Sequence, residues 1–352
     1  MSLDFWRDRR VLVTGHTGFK GAWATRWLVQ LGAKVGGIAL AASSTPNLFD
    51  LLKPWNLLAN TVLNIEDASA VTGVIREFNP EFVLHMAAQS LVPRSYRDPV
   101  ETWRTNVMGT VHVLEALRHC SATRVILVVT SDKVYRNDDA LTAFHENDGL
   151  GGDDPYSASK AACEFVVNCW RHSFFDENVK IASARAGNII GGGDWAEQRL
   201  VPDLVRSITE QREMLVRNPH ATRPWQHVLD PLFGYFLYME RLATSKAVPS
   251  ALNFGPAMNN PFRVSEIIER LAKRMAVPTK FRHAPEAKIL EKQHLQLNPS
   301  LALQSLGWRT RLDVEATIDW TCEWYAAWRD GQSAALITDQ QIKRYTKLLA
   351  GS

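Results

Sequence analysis

Residues 10–21, Arg-Val-Leu-Val-Thr-Gly-His-Thr-Gly-Phe-Lys-Gly, decide the fold class of this chain. Residues 10–14, with the apolar run Val11 to Val13 at their centre, are typical of a strand buried on both faces. The amphipathic pattern after the glycines predicts a helix through Leu31. Between the two lie Gly15, Gly18 and Gly21. Glycine permits a tight turn and a close backbone approach, and a helix N-terminus favours an anion. The stretch therefore predicts a strand, a phosphate-binding turn and a helix, although a glycine triplet alone is also compatible with a simple turn.

The same alternation of strand and helix continues along the chain. Further strands are predicted at 34–40, 61–65, 81–86, 125–129 and 181–185, and the intervening helices at 67–78, 99–119 and 156–175. This pattern is typical of an α/β protein with a Rossmann-type doubly wound parallel sheet. Because the alternation stops near residue 186, we expect a smaller C-terminal substrate-binding lobe. The predicted division is a cofactor-binding domain of residues 1–185 with about 229–253, and a substrate-binding domain of residues 186–228 and 254–352.

Composition limits the classes of function. The chain has 352 residues, 46% of them hydrophobic and 22% charged, as is ordinary for a globular protein. Its net charge of +3 comes from 40 basic and 37 acidic residues without a basic block, so it gives no reason to expect nucleic acid as a partner. The four cysteines lack a C-x-x-C spacing and the histidines do not cluster, so neither a disulfide framework nor a metal site is predicted. With no apolar signal core and no run of membrane-spanning length, we expect a cytoplasmic protein without a membrane partner.

A polar corner follows the buried strand at 125–129. Ser131, Asp132 and Lys133 come directly after it, where an open parallel sheet places its ligand crevice. Tyr156 and Lys160 follow at i and i+4 on a predicted helix, so their side chains share one face. A nearby ammonium group favours phenolate, which predicts that Lys160 lowers the pKa of Tyr156 and makes it an acid–base group. The alternative is a surface helix on which Tyr156 and Lys160 have this spacing by chance and without a function.

Other segments suggest contacts to ligands. Small residues after the predicted fourth strand, at Ala87 and Ala88, suit a cofactor, but tight packing explains them nearly as well. Asn106 lies inside a predicted helix, where asparagine is a poor helix former without a local hydrogen-bonding task. Residues 217–228 combine arginines with aromatic rings, which suits a nucleotide diphosphate, whereas a solvated basic loop is equally compatible. Neither an acid nor an arginine ends the second strand, so this position does not distinguish NAD from NADP.

Taken together, these blocks resemble the extended short-chain dehydrogenase/reductase family over nearly the whole chain. The discriminating blocks are Thr130-Ser131-Asp132-Lys133, Arg185-Ala186-Gly187-Asn188 with Gly191-Gly192-Gly193-Asp194-Trp195, and Arg223-Pro224-Trp225-Gln226-His227-Val228. The resemblance implies NAD as the cofactor, bound by Gly15, His16, Thr17, Gly18, Phe19, Lys20, Gly21, Asn64, Ile65, Ala87, Ala88, Gln89, Asn106, Thr130, Tyr156 and Lys160. It implies a nucleotide-sugar substrate, bound by Gln89, Ser131, Asn188, Arg199, Leu200, Arg217, Arg223 and His227. It also implies a homodimer or homotetramer that pairs through the Tyr156 helix and the helix beginning near Pro99.

The Asp132-Lys133 pair separates this chain from related dTDP-glucose dehydratases, which carry Asp-Glu there. The resemblance implies a 4,6-dehydration of CDP-glucose by an internal redox cycle, giving a precursor of deoxysugars in surface polysaccharides. Tyr156, helped by Lys160, would deprotonate the hydroxyl at C4, Ser131 would bond the C4 oxygen, and Asp132 would be the acid for the departing C6 hydroxyl. Lys133 would either remove the C5 proton or orient Asp132 and stabilise an enolate. A 4-epimerase, a dehydratase for another nucleotide sugar and a non-catalytic dinucleotide sensor are the alternatives.

Overall fold

The computed structural model describes residues 4–139, 142–257, 262–277, 281–283 and 292–351. The strands of the described residues are β1 Arg10–Thr14, β2 Lys34–Ala39, β3 Ala59–Val62, β4 Phe82–His85, β5 Val125–Val129, β6 Lys180–Ala186, β7 Ile189–Ile190, β8 Met214–Val216, β9 Thr222–Arg223, β10 Gln226–His227, β11 Ala251–Phe254, β12 Phe262–Arg263 and β13 Phe281–His283. The α-helices are α1 Phe19–Gln30, α2 Leu48–Leu51, α3 Ala68–Phe78, α4 Val92–Arg97, α5 Pro99–Trp103, α6 Gly109–Leu117, α7 Pro155–Ser173, α8 Leu200–Thr209, α9 Leu229–Thr244, α10 Val264–Arg274, α11 Ser300–Leu306, α12 Val314–Arg329 and α13 Ala334–Ala350.

A seven-stranded parallel sheet organises the chain. Its strand order is β3-β2-β1-β4-β5-β6-β11, and every neighbouring pair is parallel. The chain leaves β1 in one direction to form β2 and β3 and returns to the other side of β1 to form β4. At such a reversal, the loops at the carboxyl ends of the strands separate and leave a crevice. The predicted doubly wound sheet is confirmed.

Side chains of successive strand residues enter two hydrophobic cores on opposite faces of the sheet, because the side-chain period of a strand is two. In β5, Val125, Leu127 and Val129 belong to one core, together with residues of α1, α9 and α12. Ile126 and Val128 belong to the other core, which includes residues of α3, α6 and α7. Burial on both faces explains why β5 is apolar throughout its length.

Two predicted elements differ from the structure. The third strand covers 59–62 rather than 61–65, because it pairs with β2 through Gly36↔Ala59 to Ala39↔Val62 at the edge of the sheet. The helix predicted at 99–119 is interrupted by a π-helical turn, Arg104–Met108, between α5 and α6. Strand β11 is the seventh strand of the sheet and pairs with β6.

The elements after β6 add to the large sheet and form small sheets of their own. Strand β11 joins the large sheet, and α9 packs in the core on one of its faces. Three two-stranded sheets pair β7 with β10, β9 with β12 and β8 with β13. Residues 258–261, 278–280, 284–291 and 352 of the predicted second domain lie outside the described residues. Along the described chain, we find no helix with both the length and the apolar character needed to cross a membrane.

Candidate functional site

A cavity of about 620 Å³ opens at the carboxyl ends of the strands. It runs from the glycine turn after β1, past the corner after β5, to the segment around β8. The residues predicted to bind ligands that line it are Gly15, Thr17, Gly18, Phe19, Lys20, Gly21, Asn64, Ile65, Ala87, Ala88, Gln89, Thr130, Ser131, Asp132, Lys133, Tyr156, Lys160, Asn188, Arg199, Leu200, Arg217 and Arg223. Its volume lies in the range of ligand and cofactor pockets.

The glycine turn is packed so closely that side chains would not fit. Gly15 has φ +76°, and a Cβ there would lie 2.8 Å from the backbone nitrogen of Ala87. A Cβ on Gly21 would lie 2.0 Å from the carbonyl oxygen of Gly15. Gly18 is the N-cap of α1, with no side-chain cap and no acidic residue in the first turn. The uncapped N–H groups at the edge of the cavity fit the pyrophosphate of a dinucleotide.

His16 does not line the cavity, although it was predicted to bind the cofactor. Its ring is fully buried, with Nε2 2.7 Å from Asn60 Oδ1 and its plane edge-on to Phe49. A Cβ on Gly37 would lie 2.5 Å from this ring, so the glycine of β2 makes room for it. Burial lowers the pKa of His16 and favours the neutral ring. A glycine inside a strand often marks such a close approach, and that signal was present in the sequence.

Asn106 also lies outside the cavity wall, where it positions Gln89 rather than a ligand. Its Oδ1 accepts a hydrogen bond from the Gln89 backbone N–H at 2.8 Å, and its Nδ2 donates to the Gln89 carbonyl at 3.0 Å. Nδ2 also donates to Ser159 Oγ at 2.9 Å, which joins the π-helical turn to α7. The side chain supports the cavity through its neighbour, and the predicted contact between Asn106 and the cofactor stays a prediction.

The corner after β5 brings Ser131, Asp132 and Tyr156 together. Ser131 Oγ donates to Asp132 Oδ1 at 3.0 Å, and Tyr156 lines the same cavity. Asn188 Nδ2 donates to Asp132 Oδ2 at 3.0 Å. A Cβ on Gly187 would lie 1.8 Å from Asp132 Oδ2, so only glycine fits beside the carboxylate. Asp132 is thus buried, accepts a hydrogen bond at each oxygen and lines the cavity.

Two acidic residues position the Tyr156 helix. Asp154 caps α7, since its Oδ1 accepts from the N–H groups of Tyr156 and Ser157 at 3.0 Å each. Glu164, two turns further along, accepts from Thr130 Oγ1 at 2.5 Å and forms a buried ion pair with Arg185 at 2.8 Å. Sequence reasoning missed Glu164, because a single acidic residue inside a helix gives no sign that it will be buried. These contacts fix α7 against the ends of β5 and β6.

The predicted effect of Lys160 on Tyr156 is wrong in this structure. Burial raises the pKa of Tyr156 to about 12, against the smaller opposing effect of the hydrogen bond from Ser131. Lys160 Nζ donates to the Val129 carbonyl at 3.3 Å, and burial lowers the pKa of the amine. Both side chains line the cavity, as their i and i+4 spacing requires. The phenol is therefore strongly favoured over the phenolate.

Lys20 extends from the glycine turn into the same part of the cavity. Its Nζ lies 5.5 Å from the centre of the Tyr235 ring. Burial lowers the pKa of Lys20 to about 7, and the neighbouring cations Lys160 and Arg199 add to the effect. A lysine with such a pKa carries a mixture of neutral amine and ammonium near neutrality.

The structure places the residues of the basic and aromatic segment at 217–228 in two different environments. Arg217 and Arg223 line the cavity, and Arg223 also donates to the backbone carbonyls of residues 222, 292 and 293. His227, in contrast, is fully buried between Trp23 and Trp320, and burial lowers its pKa to about 3. Strand β10 places the His227 side chain in the core and not on the cavity wall, so its predicted substrate contact stays a prediction.

Arg199 bridges two sides of the cavity. Its Nη1 lies 3.1 Å from Asp194 Oδ2, and its Nη2 donates to Ser90 Oγ at 2.9 Å. Strand β8 completes the wall with Met214, Leu215 and Val216, which sequence reasoning missed. An apolar run of three residues gives no sign that it will face a cavity. In the parts of the chain that the structure describes, no group of three or more His, Cys, Asp or Glu side chains could hold a metal ion.

Comparisons with known proteins identify relatives of the whole chain. The family model described as GDP-mannose 4,6 dehydratase matches residues 12–321. A CDP-glucose 4,6-dehydratase of Salmonella typhimurium is 40% identical over 97% of this chain and 97% of the relative. A dTDP-glucose 4,6-dehydratase of Mycolicibacterium smegmatis is 27% identical, over 90% of this chain and 93% of the relative.

Solved structures share the fold. The epimerase Mth375 of Methanothermobacter thermautotrophicus superimposes with a TM-score of 0.82 at 21% identity, covering 93% of this chain and 95% of that chain. A dTDP-glucose 4,6-dehydratase of Bacillus anthracis, solved in complex with NAD, gives a TM-score of 0.75 at 20% identity, covering 90% of this chain and 96% of that chain.

Proposed function

Because this chain belongs to the GDP-mannose 4,6 dehydratase family, within the extended short-chain dehydrogenases/reductases, we propose that it converts CDP-D-glucose to CDP-4-dehydro-6-deoxy-D-glucose and water. The observation that carries the proposal is the corner of Ser131, Asp132 and Tyr156, which offers a hydroxyl, a carboxylate and a phenol to one cavity beside the glycine turn. An elimination that follows an oxidation needs such an additional acid, whereas a 4-epimerisation does not.

We infer that NAD is the cofactor. The tight turn formed by Gly15, Gly18 and Gly21 suits its pyrophosphate, and the small residues Ala87 and Ala88 leave space along the cavity wall. Thr17, Phe19, Lys20, Asn64, Ile65, Gln89 and Thr130 are the further lining residues that would hold it. When bound, NAD would supply the hydride acceptor that the oxidation at C4 needs. The Bacillus anthracis dehydratase with the same fold was solved with NAD, which supports this choice.

The side chains of the corner have separate tasks in the proposed reaction. Tyr156, in its phenolate form, takes the proton of the C4 hydroxyl, and Ser131 holds the C4 oxygen by a hydrogen bond. Asp132 gives a proton to the C6 hydroxyl as it departs. Lys133, which follows Asp132 on the cavity wall, takes the C5 proton or stabilises the enolate that its loss produces. Lys160 holds the end of β5 through the Val129 carbonyl and adds positive charge near the reacting oxygen.

We propose that the nucleotide diphosphate lies against Asn188, Arg199, Leu200, Arg217 and Arg223. Guanidinium groups bind phosphate oxygens in a bidentate manner, and three of these residues carry them. This arrangement corresponds to the division into a cofactor-binding domain of residues 1–185 with about 229–253, and a substrate-binding domain of residues 186–228 and 254–352.

The test is a screen of the purified protein with NAD against CDP-, dTDP-, UDP- and GDP-linked hexoses, followed by mass spectrometry. We expect CDP-glucose to lose one water. A change of sugar configuration without a change of mass would indicate a 4-epimerase instead. If only another nucleotide sugar loses water, the proposed substrate is wrong and the proposed reaction stands. Binding of NAD without turnover of any sugar nucleotide would favour a dinucleotide sensor.

We also propose a homodimer formed by α5, α6 and α7. Val100 and Phe165 are 62% and 61% exposed on these helices, next to the exposed Trp103 and Met108. Pairing two copies would remove this apolar surface from water. We expect Val100→Glu to produce monomers in light scattering, whereas Leu303→Glu, at the similarly exposed Leu303 of α11, leaves the dimer intact. Unchanged mass of Val100→Glu would contradict this interface.

A further inference from the structure

The loop after β2, residues 40–44, lines the cavity beside the glycine turn. The Thr17 hydroxyl donates to the Leu40 carbonyl at 2.8 Å, and the Gly15 N–H donates to the Ile38 carbonyl at 2.7 Å. These two bonds join the glycine turn to the end of β2. A dinucleotide whose pyrophosphate is bound by the turn has its adenosine ribose at the end of this strand. The loop is therefore the part of the site that meets the 2′ position, where NAD carries a hydroxyl group and NADP a phosphate group.

The loop has neither of the side chains that select between the two coenzymes. An acidic residue about 20 positions beyond the glycines accepts a hydrogen bond from the 2′-hydroxyl of NAD, and an arginine accommodates the 2′-phosphate of NADP. Position 41 lies 20 residues after Gly21 and holds alanine. We propose that this site, which rests on the proposed binding of a dinucleotide at the glycine turn, binds NADP with an affinity within about tenfold of that for NAD.

Hydrogen-bond donors on the loop are free to bind either form of the ribose. The backbone N–H groups of Ala41, Ala42 and Ser43 and the Ser43 hydroxyl bond to no other described residue. Backbone N–H and serine hydroxyl groups bind phosphate oxygens, and a serine hydroxyl also pairs with a ribose hydroxyl. Ala41 and Ser43 are exposed, so a 2′-phosphate at this loop keeps much of its hydration. The cost of desolvating its charge is correspondingly small.

The charged residues that follow β2 and β3 have partners of their own. The Asp50 carboxylate pairs with the Lys53 ammonium group at 2.7 Å. Glu66 accepts a hydrogen bond from the Thr105 hydroxyl at 2.6 Å, and Asp67 caps α3. None of the four charged side chains lines the cavity. They therefore neither repel nor attract a 2′-phosphate at close range.

The opposite wall of this end of the cavity is also uncharged. Asn64, after β3, is a neutral amide whose Oδ1 accepts from the Glu66 N–H at 3.1 Å. Lys20, the charged lining residue of the glycine turn, extends away from the loop, with its Nζ 5.5 Å from the centre of the Tyr235 ring. Among the described lining residues after β2 and β3, none carries a charge. Electrostatic discrimination between a hydroxyl and a phosphate is therefore weak here.

The proposed reaction tolerates either coenzyme. The hydride removed at C4 returns to C6 of the same sugar, so the reaction consumes no coenzyme and does not depend on the ratio of oxidised to reduced coenzyme outside the site. The 2′ group lies at the adenosine end, remote from the nicotinamide, and contributes equally to binding in the ground state and in the transition state. We expect kcat with NADP to lie within about threefold of kcat with NAD.

The experiment is isothermal titration calorimetry of the purified full chain with NAD and, separately, with NADP, after charcoal has removed any copurified nucleotide. We expect the two dissociation constants of wild type to lie within about tenfold of each other. Ala41→Asp should weaken NADP relative to NAD by about 10-fold or more, because the added carboxylate repels the 2′-phosphate and accepts from the 2′-hydroxyl. This added discrimination should decrease as the salt concentration rises, because salt screens exposed charges.

Ala41→Asn is the matched control, because asparagine has the shape of aspartate without its charge. The ratio of its two dissociation constants should stay within about threefold of the wild-type ratio. Damage to the fold would weaken both coenzymes alike and leave that ratio unchanged, so the ratio reports the 2′ position alone.

Two results would overturn the proposal: a wild type that binds one coenzyme more than about 100-fold more tightly than the other, or an Ala41→Asp variant with the wild-type ratio. Binding of neither coenzyme would refute the proposed cofactor as well. Similar binding of both coenzymes without turnover of any sugar nucleotide would support this inference and refute the proposed reaction alone.

Discussion

Two regions of the molecule bury an aspartate beside a tyrosine, and only one of them has the means for chemistry. At the end of β5, Asp132 accepts a hydrogen bond from Ser131 and lines the cavity together with Tyr156. At the start of α9, Asp230 Oδ1 accepts the Tyr345 hydroxyl and the Arg311 N–H at 2.6 Å each, in a sealed core. Residue types and burial are alike, but access differs.

The partners of the two carboxyl groups also differ. Each oxygen of Asp132 accepts a hydrogen bond, from Ser131 and from Asn188. Asp230 Oδ2 has no hydrogen-bond partner among the described residues, and burial raises the pKa of Asp230 to about 7. The comparison teaches that a perturbed pKa does not by itself identify a functional site: Asp230 joins α9 to α13, whereas the corner that faces the cavity is the candidate for catalysis.

The largest expected difference between the regions is in activity. Asp132→Asn keeps the shape of the side chain but removes the acid that the proposed elimination needs, so kcat should fall by about 10²–10⁴-fold. Asp230→Asn should leave kcat within about twofold, because Asp230 lies in the sealed core. Steady-state turnover of CDP-glucose measures both. Comparable losses in the two variants would remove the distinction between the regions.

A second prediction tests whether the corner depends on the space beside Asp132. Gly187→Ala would place a methyl group 2.0 Å from Asp132 Cγ, so the carboxyl group must move. We expect about 10-fold to 10²-fold lower kcat and a loss of about 1–3 kcal/mol in the free energy of unfolding.

Gly73→Ala is the matched control for that change. A Cβ on Gly73 meets no atom within 4 Å, and this residue lies inside α3. The control should retain activity and gain about 0.5–1 kcal/mol in the free energy of unfolding. Urea denaturation measures the stability of both variants. Full activity of Gly187→Ala would show that the position of Asp132 is not critical.

The smallest expected effect concerns the pH dependence of stability. The pKa of Asp230 lies above its usual value of 3.8, so its contribution to stability is fully present below about pH 4 and is lost as pH rises through about 7. Asp230→Asn has no such ionisation and still offers an oxygen to Tyr345 and Arg311. Relative to wild type, its free energy of unfolding should therefore improve by about 1–3 kcal/mol between pH about 4 and about 8.

The measurement for this prediction is a series of urea denaturations over that pH range. Equal slopes of stability against pH in wild type and Asp230→Asn would mean that Asp230 is ionised in the core without penalty.

The sequence by itself determined the elements whose signal is local. The glycine turn at 15–21, the apolar strand at 125–129 and the pair Tyr156 and Lys160 on one helix face all depend on spacing within a few residues. Chain connectivity then brings these elements to the same edge of the sheet, since loops at the carboxyl ends of parallel strands lie together. The fold and the central part of the candidate site could therefore be predicted.

The tertiary structure decided what depends on burial and on distant neighbours. His16 lies against Asn60, and His227 lies between Trp23 and Trp320. These partners are far from the histidines in the sequence, so no local pattern predicts the contacts. The protonation state of Tyr156 also depends on distant neighbours. The sequence showed a lysine four residues away, but burial raises the pKa of the phenol. The physical reason is that desolvation is set by all the atoms that surround a group, and most of these come from segments far away in the sequence.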